Sequence, residues 1–282
     1  MSKIVGLVGY PVSHSISPQM HNAAFKELEL DYTYQLFEIK PEKLKEFVES
    51  MRTQNIAGVN VTIPHKEAVI PLLSEISKEA KLIGAVNTIL NQNGRLIGFN
   101  TDGAGFIESL KSDGGVDPKG KKVVLLGAGG GAKAVAVTLC QAGIKSLAVT
   151  DILPERSSLL VKQLESNFKL EILAHPVDCP GLKAAIEKGD ILINATPVGM
   201  HPKTDENPLK VKAKIPSSAL VCDLIYNPPE TRFLKEAKAQ GCRTLNGLGM
   251  LVRQGALAFK IWTGQEPPIE VMRQAARTAL AH

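Results

Sequence analysis

The stretch Val123-Val124-Leu125-Leu126-Gly127-Ala128-Gly129-Gly130-Gly131-Ala132-Lys133-Ala134 decides how this chain is read. Four apolar residues behind Lys121-Lys122 give a buried strand, a glycine turn follows, and an alanine-rich helix begins. Gly127, Gly129 and Ala132 fit G-x-G-x-x-A, the dinucleotide fingerprint. Gly127 allows a tight turn, Gly129 lets a pyrophosphate approach the backbone, and Ala132 lets helix and strand pack closely. The free N–H groups and the positive end of the helix dipole receive phosphates. The helix runs from Gly130 to Gln141 and stops at Gly143, a favourable C-cap. A second strand, Ser146–Thr150, ends at Asp151, near the ~20-residue offset at which an acid meets a ribose. A plain βαβ unit without a ligand is the alternative, and strand, turn, helix and acid together argue against it.

Strand and helix patterns alternate outward from this unit, which predicts an α/β fold with mainly parallel sheets. Before it, strands are expected at Lys3–Val8, Tyr32–Glu38, Gly58–Val61, Ala85–Leu90 and Leu96–Phe99, with helices at about Pro18–Leu28, Pro41–Met51, Ile76–Leu82 and from Thr101 or Asp102 to Lys111. The polar, glycine-rich stretch 112–118 reads as a domain boundary. After it come strands at Lys122–Leu126, Ser146–Thr150, Glu171–Ala174, Asp190–Asn194 and Ala219–Asp223. Helices are expected at Gly130–Gln141, Pro154–Ser166, Gly181–Lys188, Glu230–Gln240, Gly247–Thr263 and Ile269–Ala281. The reading is therefore two domains: an N-terminal α/β domain over 1–113 and a doubly wound dinucleotide-binding domain over 119–249.

Composition narrows the function classes. A chain of 282 residues with 44% hydrophobic and 22% charged residues is that of a soluble globular protein with a sizeable core. The net charge of +5 is spread without a long basic run, and aromatic content is 5%, so a nucleic-acid platform is not expected. The positive balance suits an anionic small molecule. No apolar run approaches the ~20 residues of a membrane span, and the start of the chain lacks a signal-peptide layout. Cys140, Cys179, Cys222 and Cys242 have no C-x-x-C spacing and read as reduced thiols of a cytoplasmic protein. The six histidines show no metal-ligand spacing, so no metal is expected, and no G-x-S-x-G elbow supports a hydrolase triad.

Polar clusters at strand ends carry the candidate chemistry. Ser15 and Ser17 follow the first strand and suit a carboxylate, although Ser17 before Pro18 also fits an ordinary N-cap. Asn60-Val61-Thr62-Ile63-Pro64-His65-Lys66 ends another strand, and its lysine can polarise a ketone or pass a proton. Asn87 sits in an apolar strand, where an amide needs a partner. Asp102 in Asn100-Thr101-Asp102-Gly103 opens a helix, where an acid also serves the dipole. Asn194-Ala195-Thr196 and Asp223-Leu224-Ile225-Tyr226 lie at the ends of second-domain strands, and Asn246–Gln254 completes the set.

Taken in order, these clusters resemble the shikimate dehydrogenase family over almost the whole chain. The resemblance implies two α/β domains with a cleft between them, and C-terminal helices (about 250–282) returning to the first. It implies Lys66 and Asp102 as the catalytic pair, and Ser15 and Ser17 as carboxylate-binding hydroxyls. Asn60, Thr62, Asn87, Tyr226 and Gln254 complete the substrate set. The cofactor side is then Gly127, Ala128, Gly129, Gly130, Gly131, Ala132, Asp151, Arg156, Asn194, Ala195, Thr196, Leu224, Gly247 and Met250. The implied activity is reversible, nicotinamide-dependent reduction of 3-dehydroshikimate to shikimate, in a monomer or homodimer. Quinate is the alternative substrate, and an idle nucleotide-binding regulator the distant one. The chain departs from the NADP-using pattern, an Asn-Arg-Thr-like run, at Thr150-Asp151-Ile152-Leu153. A carboxylate there bonds a ribose 2′-hydroxyl and repels a 2′-phosphate, so NAD is expected, while Arg156 leaves NADP open.

Overall fold

The computed structural model describes residues 2–281. The chain divides into two compact units, Met1–Gly105 with Val252–His282, and Phe106–Leu251. In chain order the first unit begins with β1 (Lys3–Gly9), α1 (Ser17–Glu27), β2 (Tyr32–Glu38), α2 (Leu44–Met51) and β3 (Ile56–Val61). It continues with α3 (His65–Ala68), β4 (Glu75–Ile76), α4 (Lys78–Ile83), β5 (Thr88–Gln92) and β6 (Arg95–Phe99). The sheet order is β2-β1-β3-β5-β6-β4, with β1 parallel to β2 and β3, and β5 antiparallel to β3 and β6. One face buries Val8, Val48, Met51, Val59, Val61, Ile89 and Leu96.

The chain then runs through α5 (Asp102–Ser112) into β7 (Lys122–Leu126), α6 (Gly130–Gln141), β8 (Ser146–Thr150), α7 (Pro154–Glu165) and β9 (Glu171–Ala174). The elements α8 (Pro180–Glu187), β10 (Ile191–Asn194), β11 (Leu220–Asp223), α9 (Arg232–Ala239) and β12 (Arg243–Leu245) complete the second sheet. Its order is β12-β11-β10-β7-β8-β9, all parallel, which is the doubly wound dinucleotide-binding topology. β7 lies at its centre with β10 on one side and β8 on the other. The order reverses there, so the glycine turn after β7 stands at the switch point where such sheets take ligands.

The last helices, α10 (Leu248–Thr263) and α11 (Ile269–Leu280), return the chain to the first unit. There α11 packs on α1. Trp262 on α10 donates from Nε1 to the Ile89 carbonyl at 3.0 Å. Gly58 leaves the room for it, since a Cβ there would lie 2.4 Å from the indole nitrogen.

Most elements fall where the patterns put them, but β12 and the short helix α3 were not expected, and other differences are instructive. The division between units falls inside α5, ahead of the polar stretch 112–118, because that stretch packs within the second unit: the Val116 N–H donates to the Leu110 carbonyl, and Gly114 sits against Leu220. Ile76, expected in a helix, ends the short edge strand β4, and α4 starts after Ser77, whose hydroxyl accepts from the Ala80 N–H at 3.1 Å. β5 starts at Thr88 rather than Ala85, because the preceding N–H groups go elsewhere: Val86 to the Lys66 carbonyl, and Asn87 to the Phe99 carbonyl.

Candidate active site

Strand register gathers the candidate residues of the first unit at one edge of its sheet. Asn60, near the end of β3, pairs with Thr88 at the start of β5, and Thr88 pairs with Phe99 at the end of β6. The segments carrying Thr62–Lys66, Asn87 and Asn100–Asp102 therefore leave the sheet side by side. Lys66 lies on α3, a single turn anchored by His65, whose Nε2 is 2.7 Å from the Ile39 carbonyl. Asp102 opens α5. Its N–H donates to Asn100 Oδ1 at 3.0 Å, and Asn100 in turn donates to the Ala85 carbonyl at 2.9 Å.

The Lys66 ammonium donates to Asp102 Oδ2 at 2.6 Å, and these side chains are only 17% and 6% exposed. Asn87 Nδ2 donates to Asp102 Oδ1 at 2.8 Å and to Gln254 Oε1 at 3.3 Å. Gly105, one turn into α5, makes room for Gln254: a Cβ there would stand 2.7 Å from the Gln254 backbone nitrogen. The structure thus brings Lys66, Asn87, Asp102 and Gln254 into one cluster, an ion pair flanked by two amides.

The serines form a second feature. The Ser15 hydroxyl donates to Ser17 Oγ at 3.2 Å, and the Ser17 N–H donates to Ser15 Oγ at 3.3 Å. Ser17 is not the cap of α1; it is the first helical residue, and Ile16 takes the cap position without a side-chain bond. Thr62 packs on the end of β1, where a Cβ on Gly9 would meet its methyl at 2.4 Å. Asn60 turns inward. It is 5% exposed, and both ends of its amide are taken by Tyr34, Thr88 and the Asn87 carbonyl. Tyr226 is half-buried in the second unit.

In the second unit, Gly127 has φ of +103°, a conformation that favours glycine, and Ala195 and Thr196 approach its missing Cβ to 3.0–3.1 Å. Gly129 differs: its backbone is extended, and an added Cβ would meet nothing within 4 Å. The open space lies beside the first turn of α6, whose N–H groups have no intrahelical acceptor. Such a cradle fits a pyrophosphate. Ala128 and Ala132 are buried packing positions, and Gly131 lies 3.9 Å from the Leu224 side chain by the same measure.

Asp151 ties the cradle together. It accepts from the Ala128 N–H at 2.7 Å through Oδ2 and from the Leu153 N–H at 2.9 Å through Oδ1. Beside it Ile152 is 74% exposed, and Arg156 is exposed in the first turn of α7. Asn194 is 0% exposed and donates to Asp223 Oδ1 at 3.0 Å, while its Oδ1 accepts from the Thr196 N–H and hydroxyl. It shapes the Ala195–Val198 turn from within. Burial pushes the Asp223 carboxyl up to about 6 despite bonds from Thr231, Ile225 and Asn194. Gly247 is a close-approach position, since a Cβ there would lie 2.0 Å from the Leu224 carbonyl oxygen. Met250 is half-buried in the first turn of α10. The cysteines are free thiols, and burial pushes Cys140 up to about 12. Among the described residues no cluster of potential metal ligands occurs, and no helix is long and apolar enough to cross a membrane.

Three family descriptions match along the chain: the shikimate dehydrogenase substrate binding domain over residues 7–89, shikimate / quinate 5-dehydrogenase over 110–230, and the shikimate 5'-dehydrogenase C-terminal domain over 247–277. The shikimate dehydrogenase (NADP(+)) of Methanopyrus kandleri is 46% identical over 274 residues, covering 97% of this chain and 94% of that protein. The chain belongs to the shikimate dehydrogenase family. A solved shikimate dehydrogenase in complex with NADP+ aligns with a TM-score of 0.91 at 45% identity, covering 99% of this chain and 96% of the other. The Listeria monocytogenes shikimate 5-dehydrogenase, in complex with shikimate and NAD, aligns with a TM-score of 0.89 at 37% identity, covering 97% and 96%. Family membership makes the chain an NAD(P)-dependent oxidoreductase with an N-terminal substrate-binding unit and a Rossmann-like unit.

Four residues at the site escaped the sequence reading. Thr101 gives its N–H to Asn87 Oδ1 at 2.8 Å, and Thr88 gives its hydroxyl to the same oxygen at 3.0 Å. Tyr34 bonds Asn60 at 2.9 Å, and Gly105 admits Gln254. Thr101 and Thr88 adjoin residues that were singled out, so a search for partners of buried Asn87 finds them. Tyr34 and Gly105 give no local signal, because only the sheet register and α10 show what they meet.

Proposed function

We propose that this chain catalyses the reversible reduction of 3-dehydroshikimate to shikimate, and that it prefers NAD over NADP. One observation carries the reading: the buried Lys66–Asp102 pair at 2.6 Å, with the Asn87 amide converging on the same carboxylate. When bound, the nicotinamide supplies or takes up the hydride at the ring carbon. The chain's own residues handle the proton and the charge. Lys66 keeps ammonium protons beyond the one given to Asp102, and one of them meets the negative charge growing on the ketone oxygen. Proton transfer from Nζ completes the alcohol, and the neutral amine takes it back in the reverse direction. Asp102 orients Lys66, and its oxygens keep lone pairs for a substrate hydroxyl. Ser15 and Ser17 take the substrate carboxylate, with Thr62, Asn87, Gln254 and Tyr226 on the ring and its hydroxyls.

The glycine turn 127–131 holds the pyrophosphate, with Thr196, Leu224, Gly247 and Met250 on the nicotinamide side. The preference for NAD rests on Asp151 and Ile152. A 2′-phosphate beside Asp151 meets a carboxylate, and exposed Ile152 offers it no donor. Quinate is the second reading, favoured by the description shikimate / quinate 5-dehydrogenase that matches the central part of the chain. Four free thiols, three of them buried, suit a reducing compartment such as the cytoplasm.

The test is a four-way assay by nicotinamide absorbance, shikimate and quinate each with NAD and NADP. Shikimate with NAD should give the highest kcat/KM. An NADP preference of about tenfold or more, roughly 1.4 kcal/mol, overturns the role given to Asp151. Higher kcat/KM with quinate establishes the second reading, and no signal in any arm overturns the activity.

A further inference from the structure

Behind the Lys66–Asp102 pair runs a buried chain of side chains whose direction is fixed by two backbone groups. The Asn87 backbone carbonyl can only accept, and Asn60 Nδ2 lies 3.2 Å from it. That sets the Asn60 amide with Oδ1 towards Tyr34, so the Tyr34 hydroxyl donates to it at 2.9 Å. The Thr101 backbone N–H can only donate, and it reaches Asn87 Oδ1 at 2.8 Å. That sets the Asn87 amide with Nδ2 towards Asp102. Thr88 closes the gap, accepting from Asn60 Nδ2 at 3.1 Å and donating to Asn87 Oδ1 at 3.0 Å. One run of donors therefore points towards the ion pair, Tyr34 to Asn60, Asn60 to Thr88, Thr88 to Asn87 and Asn87 to Asp102, with Asn87 Nδ2 also 2.8 Å from Thr101 Oγ1 and 3.3 Å from Gln254 Oε1. Such bonds polarise one another in a low-dielectric interior. Tyr34, Asn60, Thr88 and Asn87 are all 5% exposed or less.

We infer that Tyr34, Asn60 and Thr88 are positioning residues for the dehydrogenase reaction, holding the Asn87 amide so that its N–H, and not its carbonyl, meets Asp102. A flipped Asn87 would set a carbonyl oxygen against the carboxylate and turn Asp102 away from Lys66. This gives Asn60 a place behind the site rather than against substrate. Tyr34 is itself pinned: its N–H donates to Asn22 Oδ1 at 2.8 Å, and its ring stacks on His21 with centroids 4.4 Å apart. The inference rests on the dehydrogenase reading for its kinetic consequence, but the hydrogen-bond order stands independently of it.

Three variants test it, Tyr34→Phe, Thr88→Val and Thr88→Ser. Tyr34→Phe keeps the ring stack and removes only the hydroxyl, so it stays informative should Thr88→Val fail to fold. Thr88→Val and Tyr34→Phe should lower kcat about tenfold while leaving the KM for shikimate and for nucleotide within about twofold, the pattern of a misplaced reacting group. Thr88→Ser, which keeps the hydroxyl, should restore kcat to within about threefold of the parent. The second readout is hydrogen exchange of the Asn87 side-chain NH2 by NMR, which should quicken in Tyr34→Phe and Thr88→Val and not in Thr88→Ser. Parent-like kcat in Tyr34→Phe and Thr88→Val overturns the inference, as does equal loss in Thr88→Ser or unchanged exchange at Asn87. A parent enzyme inactive on shikimate and quinate overturns the assignment of activity instead, and the exchange experiment still decides the positioning role.

Discussion

At the scale of single residues, the role proposed for the Lys66–Asp102 ion pair is chemical first and stabilising second. Lys66 and Asp102 are mostly removed from water, and desolvation offsets much of what their attraction returns. In the proposed mechanism they hold an ammonium at a fixed place for charge that appears only during reaction. Lys66→Met keeps the stem and removes the charge and the protons. It should cut kcat by roughly a thousandfold with the KM for shikimate little changed. A near-parent kcat would reject the role given to this lysine. Asn87 is legible as an amide that needs a partner, whereas Lys66 and Asp102 each fit an ordinary helix start and were singled out as a pair by the family resemblance. Asn60 and Asn194 were legible as special but not as inward-facing, since a residue type shows that a partner is needed and not on which side it stands.

At the scale of elements, the fold needs some glycines, and Gly129 is not among them. Gly127 has positive φ, and Gly247 has no room for a Cβ against Leu224. Gly129 has an extended backbone that alanine adopts readily and only open space where a Cβ would go. Gly129→Ala should therefore leave the melting temperature unchanged or slightly raised, since alanine reduces the freedom of the unfolded chain by about 0.4–1 kcal/mol. The same variant should weaken nucleotide binding at least about tenfold, because the proposed pyrophosphate site needs that backbone within reach. Gly127→Ala should lower the melting temperature. Equal nucleotide affinity in Gly129→Ala and the parent, measured by calorimetry, would show that the open space serves no phosphate. Element types and most boundaries follow from the sequence because apolar periodicity and capping are local. β4 and the late start of β5 were not legible, since both depend on where backbone N–H groups find partners in distant segments.

At the scale of the whole molecule, the two units carry buried titratable groups of opposite effect. In the first, His21 has no hydrogen-bond partner and lies among Tyr34, Phe25 and Trp262; burial pushes its imidazole down to about 3. Its folded value lies below its unfolded value, so its contribution to stability is full above about pH 6.5 and is lost as the pH falls towards 3. In the second, the Asp223 carboxyl is raised to about 6, so its contribution is full below about pH 3.8 and is lost as the pH rises through 6. Acidification should therefore weaken the first unit relative to the second. His21→Phe, which preserves an aromatic ring against Tyr34, should remove roughly 3 kcal/mol of the acid-side loss between neutral pH and about pH 4. Thermal melts across that range check it: an unchanged pH slope in the variant would mean that His21 is not the group responsible.

The first unit is built from both ends of the chain, and its Asn87 amide meets a glutamine supplied by the later segment. On the ribosome, every strand of the second unit is translated before that segment, whereas the first unit waits for α10 and α11. A polypeptide cut before Val252 would lack Gln254 and Trp262, and with them the contacts to Asn87 and Ile89 that the first unit draws from the later segment.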